Sequence, residues 1–218
     1  MNEIKDFETV RLFFSKRGKT KFISHLDLNR TMIRAIRRTN LPIWYTEGFN
    51  KHPYVTFVSP LSLGYESNCE CMDFRLNETV SYETIVSLLN EQFPEGLTAI
   101  KAGPPINKAG KLGFARYRIA VPCNKAKTEE FLAQNEMVVE KRTKKGLRKE
   151  VDIRPYLQDV SVSEEGEQVF LKVTLPCNSE TTINPSLLTT AMNQFLGEDR
   201  YYPILRLQLF DLDGKIFE

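Results

Sequence analysis

The chain has 218 residues, enough for one large domain or two small ones with a buried core. Its hydrophobic content of 41%, charged content of 27% and net charge of +2 are ordinary for a soluble globular protein. Because no apolar run is long enough for a signal peptide or a membrane span, we expect a cytoplasmic protein that contacts no membrane.

The charges are segregated along the chain. Basic residues gather in 16–21, 30–38 and 141–149, whereas acidic residues gather in 66–95 and 159–167. Segregated charge of this kind favours an anionic partner. The alternative is that these stretches form the solvated faces of amphipathic elements.

The first half of the chain predicts strands on both sides of a capped helix. Aromatic and β-branched residues at 9–15 predict the first strand. Ser24 and Asp27 can form a capping box that starts a helix, which Asn40 and Pro42 end. We expect a second helix at 81–91 and further strands at 41–46, 54–61, 69–76 and 97–102.

The second half repeats this order of elements. Residues 104–113 are rich in Pro, Gly and Lys, so we divide the chain into an N-terminal half (1–103), a linker (104–115) and a C-terminal half (116–218). Strands are expected at 116–122, 137–142, 169–175 and 204–210, with helices at 127–134 and 185–196. This order predicts an α+β fold of two tandem ferredoxin-like (βαββαβ) halves, each an antiparallel sheet with helices on one face. One mixed α+β domain is the alternative.

The helix that begins after Ser24 carries a row of arginines. At about 100° per residue, one face holds Arg30, Arg34, Arg37 and Arg38. The opposite face is apolar and holds Leu28, Met32, Ala35 and Ile36. Since guanidinium groups match phosphate geometry, this row predicts contact with phosphates.

Aromatic residues follow this helix closely in the sequence. They are Trp44, Tyr45, Phe49 and Tyr54. Basic groups interleaved with aromatic rings are typical of surfaces that bind single-stranded nucleic acid. The alternative is that the rings fill the core, while the arginines pair with Glu66, Glu70 and Asp73.

Both histidines of the chain lie near this helix. His25 follows the proposed cap, where a helix start with Ser24 and Lys21 nearby favours an anion. His52 lies in the loop GFNKHP (48–53), whose Gly and Pro residues fix the directions of side chains, including Asn50 and Lys51. The two imidazoles could act as a general acid–base pair. Alternatively, His25 packs under the helix and the loop is a structural turn.

Two further features are the basic stretch 141–154 and the cysteines. The stretch predicts a hairpin with its tip near Gly146, and its candidate RNA contacts are Lys144, Lys145, Arg148 and Arg154. Solubility is the alternative role. The four cysteines lack zinc-site spacing, so we expect no metal site and a reducing compartment. Cys69 and Cys71 could share a metal, although core thiols are the simpler interpretation.

Several of these stretches together resemble a known family. The stretches are FISHLD (22–27), RAIRR (34–38), GFNKHP (48–53), PLSLGYES (60–67) and KKGLRKEVDIRPYL (144–157). They resemble the radical-SAM-linked family of uncharacterised bacterial proteins, which occur free-standing or C-terminal to cobalamin-binding radical-SAM enzymes. The resemblance spans nearly the whole chain, but the family has no established activity.

The resemblance implies a bacterial protein that works with a separate radical-SAM enzyme, because this chain has no radical-SAM domain of its own. We therefore expect no cofactor in this chain, with S-adenosylmethionine, iron–sulfur cluster and cobalamin held by the partner.

Together, the residues and the resemblance predict an RNA-binding accessory module for an RNA-modification enzyme, not itself an enzyme. One alternative is a small RNA-processing enzyme that uses His25 and His52. The other is a protein-interaction module that docks on the radical-SAM partner. The sequence leaves the oligomeric state open.

Overall fold

A computed structural model describes residues 7–142, 146 and 148–218, which divide into two compact units. Unit 1 ends at Ala109 and also includes Glu218, whereas unit 2 runs from Gly110 to Phe217. The division lies inside the predicted linker (104–115), although a strand already begins there, at Leu112. The exact bounds of the halves stay a prediction.

Unit 1 is a four-stranded antiparallel sheet with two helices. In chain order its elements are β1 (Glu8–Lys16), α1 (His25–Arg38), β2 (Val55–Phe57), β3 (Glu66–Leu76), α2 (Tyr82–Gln92) and β4 (Leu97–Gly103). The strands lie in the order β4-β1-β3-β2, and each neighbouring pair is antiparallel.

The core of unit 1 follows from the periodicity of these elements. The apolar residues Val10, Leu12 and Phe14 of β1 alternate along the strand and are buried on one face, because successive side chains on a strand point to opposite faces. Both helices pack their apolar stripes against this core. Its buried members include Val10, Leu12, Phe14, Leu28, Met32, Ile36, Met72, Phe74, Leu76, Ile85 and Leu89.

Two strands predicted for unit 1 are much shorter in the structure. Residues 41–46 form no strand and make only two isolated bridges, between Ile43 and Leu76 and between Tyr45 and Pro53. The predicted strand 54–61 is reduced to β2, whose three residues pair with β3. Proline explains part of this result, since it lacks the N–H group that a continuous ladder needs.

A buried ion pair joins two strands of unit 1 to its last residue. The Arg11 guanidinium donates to both carboxylate oxygens of Asp73, at 2.7 and 2.8 Å, and also to the carbonyl oxygens of Asn107 (2.8 Å) and Glu218 (3.0 Å). Asn107 and Glu218 exchange two further hydrogen bonds, one donated by each backbone N–H. We call this arrangement the Asn107–Glu218 clip.

Unit 2 has the same order of elements with a hairpin inserted after its first helix. Its elements are β5 (Leu112–Val121), α3 (Lys125–Leu132), β6 (Val138–Arg142), β7 (Arg148–Asp152), β8 (Gln158–Glu165), β9 (Gln168–Pro176), α4 (Pro185–Leu196) and β10 (Ile204–Asp211). Four strands form an antiparallel sheet in the order β10-β5-β9-β8, and β6 and β7 pair separately.

The sequence analysis did not predict β8. This strand lies at the end of the unit 2 sheet and most of its side chains are exposed. Its sequence QDVSVSEE therefore carries little of the hydrophobic signal by which strands are recognised. The predicted basic hairpin is confirmed as β6–β7.

The predicted mixed α+β class is confirmed, with four α-helices among the described residues and largely antiparallel strand pairing. None of these helices has the length and apolar character needed to span a bilayer.

Candidate functional site

The start of α1 has the predicted capping box. Ser24 has extended backbone and its Oγ accepts a hydrogen bond from the Asp27 N–H (3.1 Å), while the hydroxyl donates to Asp27 Oδ2 (2.7 Å). The hydrogen bond from Ser24 lowers the pKa of the Asp27 carboxyl, with a smaller contribution from Arg30. Asp27 is therefore charged at neutral pH and holds the first turn of the helix in place.

The four arginines of α1 are all exposed, as their spacing predicted. We call Arg30, Arg34, Arg37 and Arg38 the arginine face. Arg30 donates to Asp27 Oδ1 at 3.2 Å. Within the described part of the chain, Arg34, Arg37 and Arg38 have no carboxylate within ion-pair distance. Among the residues described, three guanidinium groups on one helix face thus lack a compensating acid.

The acidic residues expected to neutralise this face are engaged elsewhere. Glu66 pairs with Arg17 (3.2 Å), and Asp73 pairs with the buried Arg11. Glu70 is almost completely buried, whereas the arginines lie in solvent. The alternative that the arginines of α1 pair with Glu66, Glu70 and Asp73 is therefore wrong.

Of the four aromatic residues that follow α1, two are available to a ligand. The Arg37 guanidinium carbon lies 5.9 Å from the centre of the partly exposed Tyr45 ring. Phe49 is fully exposed. Trp44 and Tyr54 are half-buried and pack against Arg75, so less of each ring is accessible, and their role in stacking on bases stays a prediction.

Phe49 lies at the tip of a closed loop. The loop is held at its base by the bond from the Thr46 N–H to the His52 carbonyl (2.9 Å). Within it, His52 Nδ1 lies 2.9 Å from the Asn50 carbonyl oxygen, and Gly48 has a positive φ of 127°, which suits glycine. These bonds fix the turn, and they leave the exposed side chains of Asn50 and Lys51 facing solvent.

The two histidines are both exposed and make contacts with different residues. The His25 ring packs edge-on against Phe57, with centroids 4.9 Å apart. His52 contacts Asn50 and the hydroxyl of Thr46 (3.2 Å). No residue is shared between these two sets of contacts, and the acid–base pair stays a prediction.

An arginine–aromatic cluster that the sequence analysis missed holds the base of this loop. The Arg75 guanidinium carbon lies 3.8 Å from the centre of the Phe7 ring, 3.9 Å from that of Tyr54 and 5.0 Å from that of Trp44. Its buried Nε has no hydrogen-bond partner in the described part of the chain. Arg75 therefore joins the segments before and after the loop by stacking, and no signal in the sequence links these four residues.

Exposed apolar side chains surround the start of α1, and these too were missed. Phe22, Leu26 and Leu63 are 65%, 55% and 64% exposed. The Gly64 N–H donates to the Lys21 carbonyl (2.8 Å), which brings the loop with Leu63 beside the 3₁₀ turn Gly18–Phe22.

In unit 2, the basic hairpin is only partly described. Arg148 is exposed and pairs with Glu140 (3.1 Å), while Lys144 and Lys145 lie outside the described residues. Arg154 lies beyond the hairpin, in a 3₁₀ turn, and its Nε donates to the Gln134 carbonyl (3.3 Å). Arg154 is thus half-buried and outside the hairpin, and its contact with RNA stays a prediction.

A cavity of about 930 Å³ lies between this hairpin and the start of α4. Its lysines are Lys141 and Lys149, but the Lys141 ammonium donates to the Thr182 carbonyl at 2.6 Å. Acidic side chains, including Glu150 and Glu180, also line it. This mixture of charges indicates no particular class of ligand.

The described residues contain no group of three or more His, Cys, Asp or Glu side chains placed to hold a metal ion. Cys69 and Cys71 are buried thiols in β3.

Two solved structures are similar to this chain over most of its length. One is an unknown protein from Galdieria sulphuraria, with 9% identity, coverage of 92% of this chain and 98% of that one, and a TM-score of 0.27. The other is a putative glycine cleavage system transcriptional repressor, with 9% identity, the same coverages and a TM-score of 0.25. Scores this low support no argument about a shared fold or function.

Among curated proteins, no sequence matches the chain. Residues 9–185 match the model of a family described as an uncharacterized protein conserved in bacteria, DUF2344. Because the match covers most of the chain, the protein belongs to the DUF2344 family of uncharacterised bacterial proteins.

Proposed function

We propose that this protein is an RNA-binding accessory module that holds RNA on the arginine face of α1. It presents that RNA to a separate radical-SAM enzyme, which carries the S-adenosylmethionine, iron–sulfur cluster and cobalamin. This protein binds and positions the RNA in the cytoplasm, and it does not itself catalyse a reaction.

The observation that carries the proposal is the charge of Arg34, Arg37 and Arg38, for which the described residues supply no carboxylate partner. Like charges three and four residues apart destabilise a helix by roughly 0.2–0.5 kcal/mol per pair. Arg34 and Arg38 are one such pair, and Arg34 and Arg37 are another. A phosphate backbone would relieve this repulsion, and guanidinium groups bind phosphate in a bidentate manner.

The basic hairpin of unit 2 supplies a second candidate contact. Its strand β7 begins with Arg148 and Lys149, both exposed, and the predicted contacts Lys144 and Lys145 precede it. Lysines and arginines on an exposed hairpin act by neutralising phosphates and do not read bases. We assign this hairpin to general backbone contact.

We also infer that each unit is ferredoxin-like, giving the tandem arrangement predicted from the order of elements. The support is the strand order. In both units the first strand lies between the last strand and the third, and the second strand is at the edge (β4-β1-β3-β2 and β10-β5-β9-β8). In unit 2 the hairpin β6–β7 is then an insertion after the first helix.

The proposal is tested by measuring RNA affinity as a function of salt. The variant Arg34→Ala/Arg37→Ala/Arg38→Ala removes the unpaired charges from exposed positions and should fold normally. If each arginine contacts one phosphate, the slope of log affinity against log salt falls by about 2 for single-stranded RNA. Fluorescence anisotropy with a labelled oligomer between about 50 and 200 mM salt measures this slope.

The matched control removes three positive charges that already have carboxylate partners. Lys125, Lys127 and Arg200 pair with Glu129, Glu130 and Glu198. Their triple alanine variant should bind RNA almost as the wild type does. Equal losses of RNA affinity in the two triple variants would mean that binding depends only on net charge. If the wild type does not bind RNA, or binds it with no dependence on salt, the proposal is refuted.

A further inference from the structure

The exposed apolar side chains Phe22, Leu26 and Leu63 surround the start of α1, the helix that carries the arginine face. Leu26 lies four residues before Arg30, so the two side chains are neighbours on one face of α1. The Lys21 ammonium lies 5.1 Å from the centre of the Phe22 ring. An aromatic ring with a cation beside it thus stands at the start of the helix.

The other end of the arginine face has a similar arrangement. There Arg37 lies over the Tyr45 ring, and the loop that follows Tyr45 in the chain carries the fully exposed Phe49 at its tip. Arg30 and Arg37 are separated by seven residues, which is about 10 Å along a helix. Aromatic surface is therefore available at both ends of a row of guanidinium groups.

This arrangement suits unpaired nucleobases better than a protein partner. Three side chains offer only a few hundred Å² of apolar surface, whereas each partner in a stable protein interface buries more than about 500 Å². Docking a protein here would also remove water from several lysines and arginines. A nucleic acid strand, by contrast, brings π surfaces and negative charges together.

We propose that the RNA held by this protein is single-stranded, an inference that rests on the function proposed above. Its unpaired bases stack on Phe22 and Phe49, and its phosphates lie on the arginine face between them. A duplex cannot occupy this site fully, because its base faces are hidden by stacking and pairing. The preference for single strands then comes from the two phenylalanines, and the salt dependence comes from the arginines.

The test compares three RNA probes of equal length: a 12-nucleotide single strand, its duplex and a single strand with abasic positions. The wild type should bind the single strand about tenfold or more tightly than the duplex or the abasic strand. Phe22→Leu and Phe49→Leu keep an apolar side chain but remove the π face, so each should weaken single-strand binding about tenfold. Their salt slope should stay that of the wild type, because no phosphate contact is lost.

Tyr201→Leu is the matched control, since Tyr201 is an exposed aromatic residue in unit 2, 64% exposed. It should leave binding unchanged. Equal affinity for the single strand, duplex and abasic strand, with a steep salt slope, would overturn this inference and leave the proposed function intact. Absence of binding to all three probes would overturn both. Unchanged binding by the two phenylalanine variants would also overturn the inference, and would point to a protein partner for the apolar side chains.

Discussion

Replacing Arg75 tests whether stacking on a single guanidinium stabilises the base of the loop 46–52, which carries Phe49 at its tip. Two rings have their centres within 4 Å of the guanidinium carbon, and Trp44 lies at 5.0 Å. A partly desolvated cation–π contact contributes about 1 kcal/mol, and the buried stem of the side chain adds packing. Arg75→Ala should therefore lower the free energy of unfolding of unit 1 by about 2–3 kcal/mol.

The assay is urea unfolding followed by intrinsic fluorescence. Trp44 is the only tryptophan of the chain and lies in this cluster, so its emission reports unit 1 without interference from unit 2. Arg75→Lys keeps the charge but loses the planar stacking surface, and should cost about half as much as the alanine variant.

Arg34→Ala provides the control, because it removes an exposed arginine from the same unit and should change the free energy by less than about 0.5 kcal/mol. If Arg75→Ala shifts the urea midpoint no further than Arg34→Ala does, the stacking on Arg75 does not stabilise unit 1 and the prediction is refuted.

Three other predictions concern the helix start, one glycine and one thiol. Because the pKa of Asp27 is lowered in the folded state, its contribution to stability is present above its ordinary pKa of 3.8 and is lost as pH falls through the lower folded value. Asp27→Asn should thus reduce the change of the thermal unfolding midpoint with pH between about pH 2 and 5. If this pH dependence is the same in the variant and the wild type, the result contradicts the capping interaction. Gly96 has a φ of +92°, and a Cβ there would lie 2.5 Å from the Arg17 carbonyl oxygen. Gly96→Ala should cost at least about 2 kcal/mol in urea unfolding, and a smaller loss would mean that the turn readily shifts. Burial raises the pKa of the Cys177 thiol to about 11. At pH 8 its alkylation, followed by mass spectrometry, should be about 100-fold slower in the folded than in the urea-unfolded protein, and similar rates would refute the burial argument.

Sequence reasoning succeeded where the signal was local. The capping box of Ser24 and Asp27 and the two faces of α1 depend only on residues a few positions apart, and all are confirmed. Helical spacing is sufficient to show that Arg34 and Arg37 share a side of the helix. It cannot show whether an acid from elsewhere in the fold reaches them.

Sequence reasoning failed where the partners are distant. Glu66 and Asp73 were reasonable partners for the arginine face by charge, but β-sheet register brings Asp73 opposite Arg11 instead. The aromatic residues were left between two alternatives, stacking on bases or packing in the core, for the same reason. The contact partner of Trp44 and Tyr54 is Arg75, which lies 31 residues beyond Trp44 in the printed sequence.

The segment 41–46 failed for a different reason. Its composition is that of a strand, but a strand exists only where a neighbour offers a ladder of N–H and C=O groups. Here the pairing with β3 is confined to one bridge between Ile43 and Leu76, with bonds from the Trp44 N–H to the Arg75 carbonyl (2.9 Å) and from the Asn77 N–H to the Pro42 carbonyl (2.7 Å). A ladder this short does not make a strand, and stacking on Arg75 adds to the contacts that hold Trp44.

The Asn107–Glu218 clip has a consequence for the order of folding. Its two residues are separated by 111 positions, and closing a loop of that length in a disordered chain costs about 4 kcal/mol of entropy. The hydrogen bonds of the clip contribute about 1 kcal/mol each, rising to about 2 for the one from Arg11, so together they only match this cost. Once unit 2 has folded, Phe217 is already fixed by its bond to Leu209, and Glu218 can dock at little further entropic cost. We therefore expect Glu218 to dock late in folding, after the 108 residues from Gly110 to Phe217.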